Sequence, residues 1–161
     1  MNGLILSESA VENMFMTEKE QDNLFYFCTL IEFIARKTKN SRHDVIAHFS
    51  KAMIERQLRL AEVNHCLSFE QVSDELIEEL SIQDGNFDSV KECKYTVPSE
   101  SSIGRIYQRL ILSTFKDDLP QTIIDVFSSF ISDEISNFNS NVYYSNPSYL
   151  LCSYEEGKLL A

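Results

Sequence analysis

The chain predicts an all-α fold, a bundle of about five to seven short amphipathic helices. Three observations lead there. Only four glycines and three prolines interrupt 161 residues, too few for a turn-rich β architecture. Apolar residues recur at i, i+3, i+4 and i+7 through most of the length. Ser or Thr followed three residues later by Glu, Gln or Asp marks three helix starts.

Residues 1–16 read as a weakly ordered arm with some apolar content. Gly3-Leu4-Ile5-Leu6 lacks a basic leader and a long apolar run, so it is expected to be neither a signal peptide nor an anchor. Thr17-x-x-Glu20 opens a helix to about Thr38. Leu24, Phe27, Cys28, Ile31, Ile34 and Ala35 form one face, widened by Tyr26, Leu30 and Phe33, while Thr29, Glu32 and Arg36 keep a polar stripe. So broad an apolar surface belongs to a central helix packed on several sides.

Ser41-x-x-Asp44 caps a second helix carrying Val45, Ile46, Phe49, Ala52 and Met53, with a break expected between Lys51 and Glu55 and one more short turn through Leu58. Ser68-x-x-Gln71 opens a third, with Phe69, Val72, Leu76 and Leu80 inward and Asp74, Glu75, Glu78 and Glu79 solvated. Asp84-Gly85-Asn86 and Pro98 mark a connection. Lys94–Val97 could be extended, but one strand makes no sheet.

Ile103, Ile106, Tyr107, Leu110, Ile111 and Phe115 then make a clear helical stripe. Pro120 suits N1 of a further helix. Ile123, Ile124, Phe127, Phe130, Ile131, Ile135 and Phe138 would face inward, with Asp125, Ser129, Ser132, Asp133 and Ser136 outward. Asn137–Asn141 turns the chain. A last helix starts near Asn146-Pro147, buries Leu150, Leu151 and Tyr154, and ends at Gly157. The expected organisation is an N-terminal helical subdomain over 1–81, a linker over 82–101 and a C-terminal subdomain over 102–161, sharing one core.

The hydrophobic fraction is 43% and the formal charge −11. Such a charge argues against nucleic acid, whose phosphates need cations. The longest apolar run, near Leu24–Ile34, is too short for a membrane span. Cys28, Cys66, Cys93 and Cys152 form no C-x-x-C pair, which fits free thiols in a reducing, cytoplasmic setting. Charge is uneven. Seven basic residues between Arg36 and Arg59 face only two acids, while from Asp117 to Glu156 there are seven acids and no base. One basic patch on an acidic body is expected, either as solvated faces with local pairs or as a steered interface.

No catalytic residue, cofactor or metal site is expected. His43 and His48 are five apart and do not share a helix face as a metal pair would. Cys28, His65 and Cys66 lack a zinc spacing. Asp117-Asp118 and Asp133-Glu134 read as helix-end charges and solvated face. Two features remain as candidate binding residues. Arg105 and Arg109, at i and i+4, can anchor an acidic group or pair with nearby carboxylates. Tyr143 and Tyr144, within an Asn- and Tyr-rich stretch from Phe138 to Tyr149, offer an adaptable aromatic surface or a packed helix connection.

Phe27-Cys28, Ile31-Glu32 and Ala35, then Ser41, Asp44-Val45, Phe49, Ile54, Leu58, His65 and the acidic run Asp74–Leu80 carry a resemblance. Over roughly residues 22–81 the chain resembles a bacterial family of small helical proteins of unknown function, often encoded beside ADP-ribosyltransferase-like proteins in toxin–antitoxin-like arrangements. The resemblance implies a non-catalytic, antitoxin-like protein that binds a toxin-like partner. Residues 82–161 fall outside it. A structural or scaffold homo-oligomer is the second expectation, and an enzyme with an unrecognised site the third.

Overall fold

The structure is a computed structural model and describes residues 16–161. The N-terminal arm lies outside the described residues, apart from Met16. The described residues are all-helical, with nine α-helices and one 3-10 turn. In order they are α1 (Glu18–Thr38), α2 (Arg42–Ile46), α3 (Lys51–Asn64), α4 (Phe69–Glu79), α5 (Ser89–Glu92), α6 (Glu100–Thr114), α7 (Leu119–Ser128), α8 (Phe130–Ser136), the 3-10 turn Val142–Tyr144 and α9 (Pro147–Glu156). No helix among the described residues is long and apolar enough to cross a membrane.

The caps follow the sequence closely. The Thr17 hydroxyl accepts from the Glu20 amide while the Glu20 carboxylate accepts from the Thr17 amide, a complete capping box. Ser41, Ser50, Ser68, Ser99 and Asp118 each accept from the backbone amide three residues on. Gly157 ends α9 at φ 80°. The extra helices have local causes. Ser50 starts a new helix, so the break falls at residues 47–50, before Lys51, and α3 then runs 14 residues without interruption. Asp88 caps the single turn α5 inside the connecting stretch. Lys94–Val97 is irregular. Pro120 sits at the second helical position of α7, behind Leu119.

Helix α1 is central and touches α2, α3, α4 and, most extensively, α6. Leu24, Phe27, Leu30, Ile31 and Ile34 are fully buried, and the same apolar cluster takes in Ile103, Ile111, Ile123, Phe127, Ile131 and Ile135. Each such side chain is worth about 1.5–3 kcal/mol of burial. The expected polar stripe of α1 is not solvated. Thr29 and Glu32 are buried and Arg36 nearly so. Thr29 meets α6 at Gly104, where the backbones close in on one another.

Glu32 sits between two guanidiniums. Its Oε1 accepts from Arg42 Nε at 2.8 Å, and its Oε2 accepts from both Arg42 Nη2 and Arg36 Nε. Arg42 also donates to Ser89 Oγ, and Arg36 donates to the Pro98 carbonyl. Both guanidiniums lie against the Phe138 ring, at 5.1 and 5.8 Å. Burial pushes the Glu32 carboxyl up, but the two arginines outweigh it and hold it below the ordinary carboxylate range. The stretch after α4 is tied to the same place. Gly85 and Phe87 donate their amides to the Thr38 and Lys39 carbonyls at the end of α1. A Cβ on Gly85 would stand 2.6 Å from the Lys39 carbonyl, so only glycine allows that approach.

One further expectation changes. The helix expected from Pro120 to Phe138 is two, broken at Ser129, whose extended backbone ends α7 and starts α8. The Ser129 hydroxyl donates back to the Val126 carbonyl. The break resets the helical phase, so Ser132 and Ser136 point inward rather than out, and Phe130 is only half-buried. Ser132 Oγ lies 3.0 Å from the hydroxyl of the buried Tyr107, whose ring stacks on Phe127 at 4.1 Å.

Candidate functional site

Five of the seven basic residues from Arg36 to Arg59 are paired with carboxylates, and Lys39 and Arg59 stand outside the ion pairs of the described residues. Arg36 and Arg42 are consumed by Glu32, Lys37 pairs with Asp74, Lys51 with Asp118 and Arg56 with Glu79. The exposed pairs among these add little stability individually, but they neutralise the charge that the spacing concentrates.

The candidate binding residues divide. Arg105 turns towards α1. Its guanidinium lies over the Phe25 ring at 3.9 Å and its Nη1 donates to Gln108 Oε1. Arg109 goes elsewhere. With Tyr143 and Tyr144 it lines a cavity of about 340 Å³ between α6 and the start of α9. Ile106, Leu110 and Ser113 come from the same face of α6, at the i, i+4 and i+7 spacing of a helix. Pro147 and Leu150 supply the opposite wall. The floor is therefore apolar and the rim is cationic and phenolic.

Local anchoring explains how the tyrosines are presented. Val142 is buried and fixes the 3-10 turn, and the Ser145 amide donates to its carbonyl. Tyr143 is half-buried, edge-on to Phe138 at 5.7 Å and to Tyr144 at 4.9 Å. Tyr144 is 68% exposed. On the other side of the turn a second cavity, about 530 Å³, runs between Tyr143, Tyr144 and Tyr95. Tyr95 is 70% exposed. It is held there by Asn139, whose side chain accepts from the Lys94 amide and donates to the Glu92 carbonyl. The neighbouring polar residues are largely structural. Asn146 caps α9, and the Tyr149 hydroxyl donates to the Leu160 carbonyl. No local spacing marks Tyr95, because the Lys94–Asn139 hydrogen bond that holds its loop beside the two tyrosines joins residues 45 apart.

Another cavity, about 790 Å³, opens beside the end of α1. Its lining is mixed, with Lys39, Asn86, Lys94 and Asn137 beside Phe87 and Phe138, and it holds His43 with Nδ1 2.8 Å from Asp133 Oδ1 and Nε2 3.4 Å from Asp44 Oδ1. Its lining comes from several distant segments, so no motif announces it. The described residues contain no group of three or more His, Cys, Asp or Glu able to hold a metal ion. Cys28 is buried inside α1, where desolvation pushes its thiol well above the ordinary range, and Cys66 is exposed with His65 Nε2 4.0 Å from its sulfur. No protein-family model, curated protein or solved structure matches the chain.

Proposed function

We propose that the protein is a non-catalytic, antitoxin-like binder of another protein, and that the partner is held at the ridge formed by Arg109, Tyr143 and Tyr144. The observation that carries this reading is the company Arg109 keeps. It stands beside an apolar cavity and two tyrosines, one of them largely exposed. Arginine and tyrosine around an apolar pocket are the side chains that dominate binding energy at protein interfaces. The resemblance of residues 22–81 to the toxin-associated family supports the choice of a toxin-like partner. The test is retention of a partner by the immobilised chain from a lysate of its source, with the parent and the Arg109→Glu and Tyr144→Ala variants in parallel. A protein held by the parent and released by both variants supports the reading. Retention of nothing, or equal retention by all three, removes it.

A scaffold that assembles with itself is the second reading. It is favoured by Leu60 and Val63, exposed one turn apart at the end of α3, and by Leu67, exposed in the bend that follows, Val63 by 66%. Light scattering over a concentration series would show a dimer or larger species that Val63→Glu dissolves.

A further inference from the structure

We propose that the 340 Å³ cavity takes one bulky aliphatic side chain of the partner together with a single carboxylate beside it, a conclusion that rests on the ridge being the partner-binding surface. The volume is at the small end of the roughly 300–1,000 Å³ of small-molecule sites. It suits one or two side chains rather than a cofactor. Ile106, Leu110, Pro147 and Leu150 give the cavity an apolar floor, and Ser113, Ser145 and Asn146 complete its lining.

The rim supplies the second element. Arg36, Arg42 and Arg56 each have a carboxylate, and Arg105 has the Phe25 ring. Among the described residues Arg59 and Arg109 have neither, both are exposed, and of the two it is Arg109 that lines the cavity. The hydroxyls of Tyr143 and Tyr144 make no hydrogen bond to the described residues. A forked donor with no anion, next to two idle phenols and above an apolar floor, is complementary to a carboxylate carried next to a hydrophobic side chain. The net charge of −11 disfavours further acids beside the first. A run of acids would be repelled by the body of the protein, whereas one carboxylate meets Arg109 locally. The wall is held in place by Pro147 and by the buried Val142, so little ordering is needed when the segment enters.

The experiment uses the full chain, ¹⁵N-labelled, titrated with the peptide acetyl-Ser-Asp-Leu-Leu-Ser-amide and with its counterpart carrying Lys in place of Asp. The acidic peptide should shift the amides of Ile106, Leu110, Ser145 and Leu150 and the Arg109 Nε–H resonance. It should bind roughly tenfold or more tightly than the lysine peptide, as expected for a charge-assisted contact. Arg109→Glu should reverse that order while leaving the apolar contacts in place. The proposal fails if the acidic peptide moves none of these resonances, if both peptides bind alike, or if Arg109→Glu does not change their order. Partner retention that depends on Tyr144, with no response to the acidic peptide, would remove only the stated ligand chemistry. A peptide response with no retained protein would instead remove the reading of the ridge as a partner surface.

Discussion

Gly104 on α6 presses so closely on Thr29 of α1 that a Cβ at position 104 would lie 2.2 Å from Thr29 Oγ1 and 2.9 Å from both the Thr29 Cα and its amide nitrogen. Two of those three atoms are backbone, so a rotamer change cannot relieve the clash. Alanine would gain about 0.8–1.0 kcal/mol of helix propensity over glycine. Overpacking at a rigid contact costs about 1–3 kcal/mol. The clash is severe enough to put Gly104→Ala towards the upper end, and a net loss is expected in urea unfolding. A variant as stable as the parent would mean that α1 and α6 have room to separate.

Glu32→Gln should be far more damaging than its near-identical shape suggests. It leaves the buried Arg42 guanidinium without an anion and Arg36 with only Glu100, 3.8 Å away, and breaking a buried pair in this way costs about 3–5 kcal/mol. The same pair sets a pH dependence. The carboxyl of Glu32 is held below its ordinary value in the folded chain. Its contribution is therefore complete above the unfolded value of about 4.3 and is lost as pH falls through the folded one. Denaturant midpoints measured from pH 6 downward should fall more steeply for the parent than for Glu32→Gln.

Tyr107→Phe removes one hydroxyl and keeps the stack on Phe127. Ser132 Oγ then loses its partner in a buried place, so a loss of about 1–3 kcal/mol is expected. Adding Ser132→Ala should cost less than that change does alone, because the two groups share one interaction. Burial also pushes the Tyr107 phenol above its ordinary value, so this residue stabilises the fold fully below about pH 10 and less as pH rises from there. Thermal unfolding of the four chains of the cycle gives the coupling directly.

Tyr144→Ala and Arg109→Glu change exposed side chains. Each should leave the unfolding free energy within about 0.5 kcal/mol of the parent. That separation makes them clean reporters. If either melts early, any loss of binding reflects the fold, and the ridge is structural.

Much of the helical pattern was legible. The serine and threonine caps, the central α1, the stripe on α6 and the glycine end of α9 all rest on local chemistry, which a linear sequence displays. The failures share a different cause. Thr29, Glu32 and Arg36 look like a solvated stripe until Gly104, distant in sequence, and Arg42, on the next helix, close over them. Ser132 and Ser136 look outward until the break at Ser129 turns the following helix. The candidate binding residues divide in the same way. Arg109, Tyr143 and Tyr144 converge on one cavity, but nothing in the spacing of Arg105 and Arg109 reveals that Phe25 takes the first of them. Tyr95 and the cleft around His43 depend on contacts between remote segments, which residue types alone do not encode.

The linkage of Glu32 to Ser89 and Pro98 has a consequence for how the chain is made. A ribosome delivers α1, with its wide apolar surface and a carboxylate destined for the interior, long before it delivers residues 89–104. Nascent chains lengthen at about 5–20 residues per second, so α1 waits several seconds for the segments that cover it. During that interval the first half is a sticky, incompletely neutralised helix pair. Its fate on the ribosome, more than the stability of the finished molecule, would then set the yield of soluble protein, and slowing translation after Thr38 should lower that yield while leaving the melting point of the purified chain unchanged.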